Sequence, residues 1–425
     1  MLKKFPFYAV YVFILVAACF ITAQITYNET DKQWKNEIDR LVTTPGSLLT
    51  DKILDVSETV NVYSLYSADT EDLTDGAAKG YVQGIDDRFA MYISAEEYME
   101  YNDFISHASD KGIGISTIYD STCEGVYVIN VYKGSPAEQS GMVPGDIITH
   151  VGDVPVKKLG YFSVMNILGK DDETESVKLT VRKHSGKLEQ YEIQRREVSA
   201  VNMAGRSITV RENGNGTKIG VIAINRFGSS PAGEVAFFED ILESLVKEGC
   251  ERFVIDLRNN PGGNIETVSQ LLDCFLRDGP VFTVKYNSGL ENTVVANTGK
   301  TKLPYPYMFA VLVNENTVCE AEVFAKVLSN AAGVQLFGVT TYGKASVQSL
   351  FELESGGAVS LSHAKYIPVG SEDFDGIGIS PLEENYVDLT VEQKMSFAIL
   401  KDEEDTQLQT AAKYLCGLEK KEFYD

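Results

Sequence analysis

Three short blocks combine the residue types that covalent catalysis uses, and each follows an apolar run. The first is Ile255-Asp256-Leu257-Arg258-Asn259-Asn260-Pro261-Gly262-Gly263. A turn with two glycines can aim free backbone N–H groups at a developing negative charge, as an oxyanion hole does. The same glycines also suit any loop that needs positive φ. The second block runs from Val311 through Asn314 and Thr317 to Cys319, Glu320 and Glu322. It enters a helix whose apolar positions are Val323, Phe324, Val327 and Leu328. Cys319 falls at the amino end of that helix, where unpaired N–H groups and the helix dipole favour a thiolate. A cysteine beside an apolar run is equally at home as an inert core residue. The third block is Tyr342-Gly343-Lys344-Ala345-Ser346-Val347-Gln348. Read as a strand, it puts Lys344, Ser346 and Gln348 on one face. A desolvated lysine there loses its charge and serves as a general base, whereas an exposed one pairs with a carboxylate. A nucleophile at a helix start, a lysine base and a backbone anion pocket make up the kit of a hydrolase working by acyl transfer. A phosphate loop is excluded: Gly338–Lys344 mimics GxxxxGK, but Ala345 stands where the magnesium-binding hydroxyl belongs.

Such residues must be held by a frame, and the chain carries one. Strands and helices alternate after a turn-rich break at Asn213–Gly216. Lys218–Ile224, Phe253–Leu257 and Phe309–Val313 read as strands; Pro231–Lys247, Ile265–Phe275 and Glu320–Ser329 read as helices. This alternation predicts a mainly parallel sheet covered by helices, with sites at the carboxyl ends of its strands. Before the break, from Gly112 to about Ile193, short β-rich runs alternate with Gly, Pro and Asp turns. Residues 32–105 look mostly helical, with Ile38, Leu41, Leu48, Leu49, Ile53 and Leu54 at helical spacings. Asp405–Leu415 (DTQLQTAAKYL) reads as a terminal helix.

Composition narrows the class. A length of 425 residues favours two or three domains. A hydrophobic fraction of 44% excludes wholesale disorder. The net charge of −23 argues against a nucleic-acid partner, which needs a basic face. Six scattered cysteines build no disulfide framework, and no CxxC pair marks a zinc site. With four histidines there is little material for a His-based metal centre, and neither metal nor cofactor is expected. At the amino end, Lys3 and Lys4 precede an uncharged stretch from Phe5 to Asn28. It is long enough to span a bilayer, and its flanking charges favour a cytoplasmic amino end. A cleaved signal peptide and a lipoprotein box at Val16–Cys19 are the alternatives. All three readings put the remainder outside the cytoplasm.

Gly112-Ile113-Gly114-Ile115, then Gly134-Ser135-Pro136-Ala137 and Gly141-Met142-Val143-Pro144-Gly145-Asp146-Ile147-Ile148, resemble a PDZ domain. That resemblance implies capture of an extended peptide by strand addition, with its terminal carboxylate in the Gly112–Ile115 loop. The plainer reading is that the glycines serve tight turns.

The three chemical blocks, in this order after a PDZ domain, resemble the carboxyl-terminal processing peptidases, a family of Ser/Lys proteases. Block one matches the family's DLRNNPGG whole, and Lys344 and Gln348 match its FGKGSVQ. Gly84–Asn102 resembles the family's DPYS.YL.PEEY segment, and Gly376–Pro381 its G.GI.PD block. The departure lies in SASASE. Glu322 matches its Glu, so the nucleophilic Ser falls on Cys319, and Glu320 replaces a small residue beside it.

The resemblance implies an α/β protease core with a parallel sheet in a crotonase/ClpP-like spiral. An inserted β-rich PDZ domain, a helical N-terminal segment and an N-terminal transmembrane helix complete it. The expected layout is an anchor at 1–28, a helical segment at 29–105, a PDZ domain at 106–190, the peptidase core at 191–400, and a helix and tail at 401–425. Cys319 is the expected nucleophile, Lys344 its base and Gln348 the group that orients Lys344 by hydrogen bonding. Backbone N–H groups of Gly262 or Gly263 and of Glu320 hold the oxyanion, with the Glu320 side chain turned away. The expected partners are polypeptide substrates bound through their C-termini, the cell membrane through residues 5–28, and a second copy in a homodimer. A pseudoprotease that binds without cutting, and a membrane-tethered PDZ adaptor, are the competing readings. Cys123, Cys250, Cys274 and Cys416 are read as core fillers and His363 as structural.

Overall fold

The computed structural model describes residues 46–418, except 68, 107–110, 170–175, 199–200, 213–214, 277 and 297–307. The expected transmembrane stretch at 5–28 lies outside the described residues, as do Ile38 and Leu41. Among the described residues no helix is long and apolar enough to cross a membrane. The chain forms two compact units, Met1–Ala77 and Ala78–Asp425. In the first, helix α1 (Gly46–Tyr63) forms over the expected periodic stretch, and its Leu48, Leu49, Ile53 and Leu54 are exposed.

The second unit starts within a helix over Thr70–Gln83 and continues with a short strand, Met91–Ile93, and helix α2 (Ala95–Ser106), so the stretch expected to be mostly helical also contains a strand. A β-rich module follows: β1 (Ile115–Asp120), β2 (Gly125–Val131), β3 (Ile147–Val151), helix α3 (Tyr161–Gly169), β4 (Ser176–Arg182) and β5 (Leu188–Gln194). The main sheet order is β1-β2-β3-β4-β5, all antiparallel, which leaves β1 at an edge. Alternation along the strands fills a core of its own, with Val126, Val128, Ile148, Val177, Leu179 and Val181 beneath α3. The Pro144-Gly145-Asp146 turn is fixed by Gly145 at φ 90° and by buried Asp146. That carboxylate accepts the Val143 N–H and pairs with Lys183 at 2.7 Å.

The larger core carries β6 (Met203–Glu212), β7 (Asn215–Ile224), α4 (Pro231–Lys247), β8 (Arg252–Asp256), α5 (Ile265–Phe275), β9 (Gly279–Tyr286), β10 (Glu291–Ala296), β11 (Met308–Val313), α6 (Glu320–Ala332), β12 (Gln335–Gly338), β13 (Ser346–Glu352), β14 (Ala358–Pro368) and α7 (Thr406–Gly417). One sheet has the order β6-β7-β8-β11-β12. Strands β7, β8, β11 and β12 run parallel, as their alternation with helices requires. Every residue of β11 is buried, because both faces are covered. Strands β6 and β7 pair antiparallel along their length. A second, antiparallel sheet of Met91–Ile93, β14, β9 and β10, with β13 against β14, was not expected from the sequence. Lys344 was expected on a strand, but β13 begins at Ser346, and Lys344 belongs to the loop before it.

A buried ion cluster ties the first chemical block to the end of the chain. The Arg258 guanidinium grips Asp256 (2.6 and 2.9 Å), Asp405 (2.8 and 3.0 Å) and the Gln407 amide oxygen (3.1 Å). Asp405 also caps α7 through the Leu408 N–H. Burial raises the Asp256 carboxyl, but the Arg258 charge outweighs it, so the group lies below its ordinary 3.8. A depressed carboxyl stabilises the fold above its ordinary value and loses that contribution as pH falls through the lowered one. We expect Arg258→Lys, which keeps charge but loses the planar fork, to cost about 2 kcal/mol at neutral pH. The difference should shrink in acid; urea titrations at neutral pH and near pH 3 measure both.

Candidate active site

Three parallel strands deliver their loops to one place. Strand β11 ends in Asn314–Val318, a loop braced by side chains. The Asn314 N–H donates to Thr317 Oγ1 (3.0 Å), and Asn314 Oδ1 accepts from the N–H groups of Asn259 (2.9 Å) and Asn316 (3.1 Å). Thr317 Oγ1 donates to the Leu257 carbonyl (2.9 Å), and the Val318 N–H to the Asn260 carbonyl (2.9 Å). These bonds lock the loop after β8 to the loop after β11. The chain then turns sharply at Cys319, whose φ of 56° and ψ of −118° are rare for a side-chain-bearing residue. Such strain persists only where the surroundings over-determine it. Here the Cys319 N–H donates to Glu322 Oε2 at 2.9 Å, and helix α6 starts at the next residue.

Glu322 binds the other half of the site as well. It is fully buried, and its carboxylate accepts the Gly343 N–H (2.7 Å), the Lys344 N–H (2.8 Å) and the Thr341 hydroxyl. One side chain thus fixes the backbone of both Cys319 and Lys344. Burial pushes the Glu322 carboxyl up to about 7, against the pull of those donors.

The Lys344 side-chain nitrogen lies 3.8 Å from Cys319 Sγ and donates to the Ser346 carbonyl at 3.3 Å. It stands over the Phe89 ring, 4.9 Å from its centroid. Lys344 is 7% exposed and Cys319 6%, so the pair is screened from bulk water. Gln348 does not reach Lys344: its amide donates to the Phe89 carbonyl. The expected orienting bond is therefore absent, and Gln348 meets instead the backbone of the residue whose ring lies beside Lys344. Phe89 is 255 positions away from Lys344 in the chain, and nothing in local spacing marks it. The neighbouring Arg88 donates to the Gly343 carbonyl (3.2 Å) and pairs with Asp120 at the end of β1 (3.5 Å). Tyr342 also donates to Asp120, so this loop is held from the β-rich module too.

The glycine turn supplies one outward amide. The Gly262 N–H is used internally, donating to Asn260 Oδ1 (2.8 Å). The Gly263 N–H points toward the helix start. A side chain is forbidden there, because a Cβ would lie 2.1 Å from the Phe227 carbonyl oxygen. That amide is not vacant: it donates to Glu320 Oε2 at 3.0 Å. The expected outward-turned Glu320 side chain is thus corrected, for its carboxylate folds back over the turn. Tyr366 donates to its other oxygen at 3.4 Å, while the Cys319 thiol donates to the Ser346 carbonyl at 3.9 Å. Burial first, and Glu320 next, push the Cys319 thiol well above its ordinary 9.0, while Lys344 pulls the other way. Tyr366 carries no sequence signal of its own, and Phe89 lies within the Gly84–Asn102 resemblance without being singled out by it.

In the β-rich module, the carbonyls of Ile113 and Gly114 accept the N–H groups of Ala137 and Tyr132. Gly114 sits at φ 81°, with Ser135 packed where a Cβ would go. Beside it, Gly112 pairs with Arg196 and Ile115 begins the edge strand β1. The groove between β1 and α3 is crossed by Tyr161 and Met165, which meet Thr117 Oγ1 at 2.9 and 3.1 Å. Among the described residues the other cysteines form no disulfide, with Cys250 and Cys274 buried and Cys123 and Cys416 half-buried. His363 hydrogen-bonds Ser349 at 2.7 Å, away from the site.

Comparison with known proteins places this geometry in context. Residues 218–384 match peptidase family S41, and residues 109–194 match the PDZ domain. The carboxy-terminal processing protease CtpA of Bacillus subtilis (strain 168) is 31% identical over 337 residues, covering 78% of this chain and 68% of its own length. A probable CtpA-like serine protease of Staphylococcus aureus (strain COL) is 27% identical over 378 residues, covering 87% and 68%. The solved photosystem II D1 C-terminal processing protease superposes with a TM-score of 0.63 at 22% identity, over 79% of this chain and 86% of that one, and shares its fold.

Proposed function

This chain belongs to peptidase family S41, and we propose that it is an endopeptidase of the carboxyl-terminal processing type that cuts extracytoplasmic polypeptides through Cys319. The observation that carries this reading is the buried contact between Lys344 Nζ and Cys319 Sγ at the start of α6. Lys344 takes the thiol proton as sulfur attacks the scissile carbonyl, then hands it to the departing amine. A thioester on Cys319 results, and water hydrolyses it. Backbone N–H groups of Gly263 and Glu320 hold the oxyanion. Ser346 supplies a carbonyl that keeps Lys344 in place, and Phe89 limits its other rotamers.

The edge strand β1 is the natural seat for a substrate's extended C-terminus, with its carboxylate at Gly112–Ile115. Occupation would need Tyr161 and Met165 to withdraw from Thr117. The uncharged residues 5–28 after Lys3 and Lys4 support a single-pass anchor with the peptidase outside the cytoplasm. A second reading, binding without cutting, draws on the raised Cys319 thiol.

The test is to incubate the full chain with an unstructured polypeptide and quench in acid. New fragments and an acyl adduct on Cys319, absent in Cys319→Ala, are expected. A wild-type chain that binds the polypeptide but yields neither would overturn the peptidase reading in favour of binding alone.

A further inference from the structure

We propose that Glu320 is a built-in competitor for the oxyanion pocket, so that the resting site is blocked by its own first helical residue. This rests on the peptidase reading of Cys319 and Lys344. Two donors converge on one carboxylate, the Gly263 N–H at 3.0 Å and the Tyr366 hydroxyl at 3.4 Å, and it belongs to the residue that follows the nucleophile Cys319. The first is the amide that a tetrahedral intermediate needs. The carboxylate also lies against Gly262, where an added Cβ would stand 2.3 Å from Glu320 Oε2 and 3.1 Å from the Glu320 nitrogen. An anion already sits where the oxyanion would develop.

The chemical consequence is twofold. A scissile carbonyl oxygen cannot take the Gly263 N–H until the carboxylate swings out. A negative charge beside the sulfur also opposes thiolate formation, against the help that Lys344 offers. The first acts at the Gly263 amide and the second at Cys319, and both vanish when the side chain moves, because the Glu320 N–H stays in the backbone. A substrate therefore competes with Glu320 for one amide, and the block weighs on binding and on chemistry together.

The experiment compares full-length wild type, Glu320→Ala and the isosteric Glu320→Gln. One readout is the rate of Cys319 alkylation by iodoacetamide, followed by peptide mapping because Cys123 and Cys416 are half-buried competitors. The other is kcat/KM on an unstructured polypeptide. We expect Glu320→Ala to raise both about tenfold or more, and Glu320→Gln, which keeps the shape but loses the charge, to raise alkylation about threefold. Thermal unfolding of Glu320→Gln confirms a folded comparison. Alkylation at Cys319 within twofold of wild type in both variants would overturn the proposal. So would a wild-type chain that cuts as fast as Glu320→Ala. Faster alkylation with no cleavage by any variant would uphold the block and sink the peptidase reading instead.

Discussion

Replacing Lys344 with methionine is expected to lower kcat/KM for polypeptide cleavage about a thousandfold while leaving the chain folded. The amine is the only basic nitrogen hydrogen-bonded to Cys319 Sγ among the described residues, and it is the one group that pulls the thiol down. Without it no side chain accepts the thiol proton or returns it to the leaving amine. Methionine matches the length of the stem and lies comfortably over Phe89. Cys319 Sγ and the Ser346 carbonyl each lose one partner and still face each other at 3.9 Å, so thermal unfolding should shift by a few degrees at most. Cleavage kinetics beside a melting curve make the measurement. Activity within tenfold of wild type would remove Lys344 from the mechanism.

Glu322→Ala should be nearly as damaging, for a different reason. It touches no substrate, yet it accepts four hydrogen bonds that fix Cys319, Thr341, Gly343 and Lys344. Its loss strands buried donors at about 1–3 kcal/mol each and frees both catalytic residues to drift. We expect cleavage to fall about a hundredfold or more, together with a stability loss of several kcal/mol, on the order given for breaking a buried charged network. Glu322→Gln separates the two effects, since it keeps the packing. It also carries a pH signature. The Glu322 carboxyl is raised from its ordinary 4.5 to about 7 in the fold, so folding takes up a proton between those values. Its stabilising contribution is complete below 4.5 and declines as pH rises through 7. Denaturant titrations across that window should lose this slope in Glu322→Gln; an unchanged slope would assign it to another group.

Much of this was legible in the chain. The strand–turn–helix order around Asp256, Val313 and Glu320 follows from apolar runs that end in polar turns. Helix α6 begins where Cys319 was read to precede it. What escaped depends on distance along the chain. The second sheet joins β9, β10, β13 and β14 to Met91–Ile93, and half-buried strands of mixed polarity give a weak period. The alternation of Lys344, Ser346 and Gln348 is real spacing, but the loop tied down by Glu322 overrides it until Ser346. Gln348 finds Phe89 and Glu320 finds Gly263 only because the tertiary fold brings them together. A glutamate at the first turn of a helix also looks ordinary, since the dipole favours it there.

The ion cluster around Arg258 has a consequence for the order in which the molecule is made. Asp405 and Gln407 follow every residue of the site in the chain, yet they hold the arginine next to Asn259 and Asn260. During synthesis from the amino end, Cys319 and Lys344 both emerge before these partners exist. Until then Arg258 has only Asp256 to pair with, and the loop that frames the anion pocket lacks its last brace. A nascent chain therefore lacks this brace of the Asn259–Asn260 loop until α7 docks.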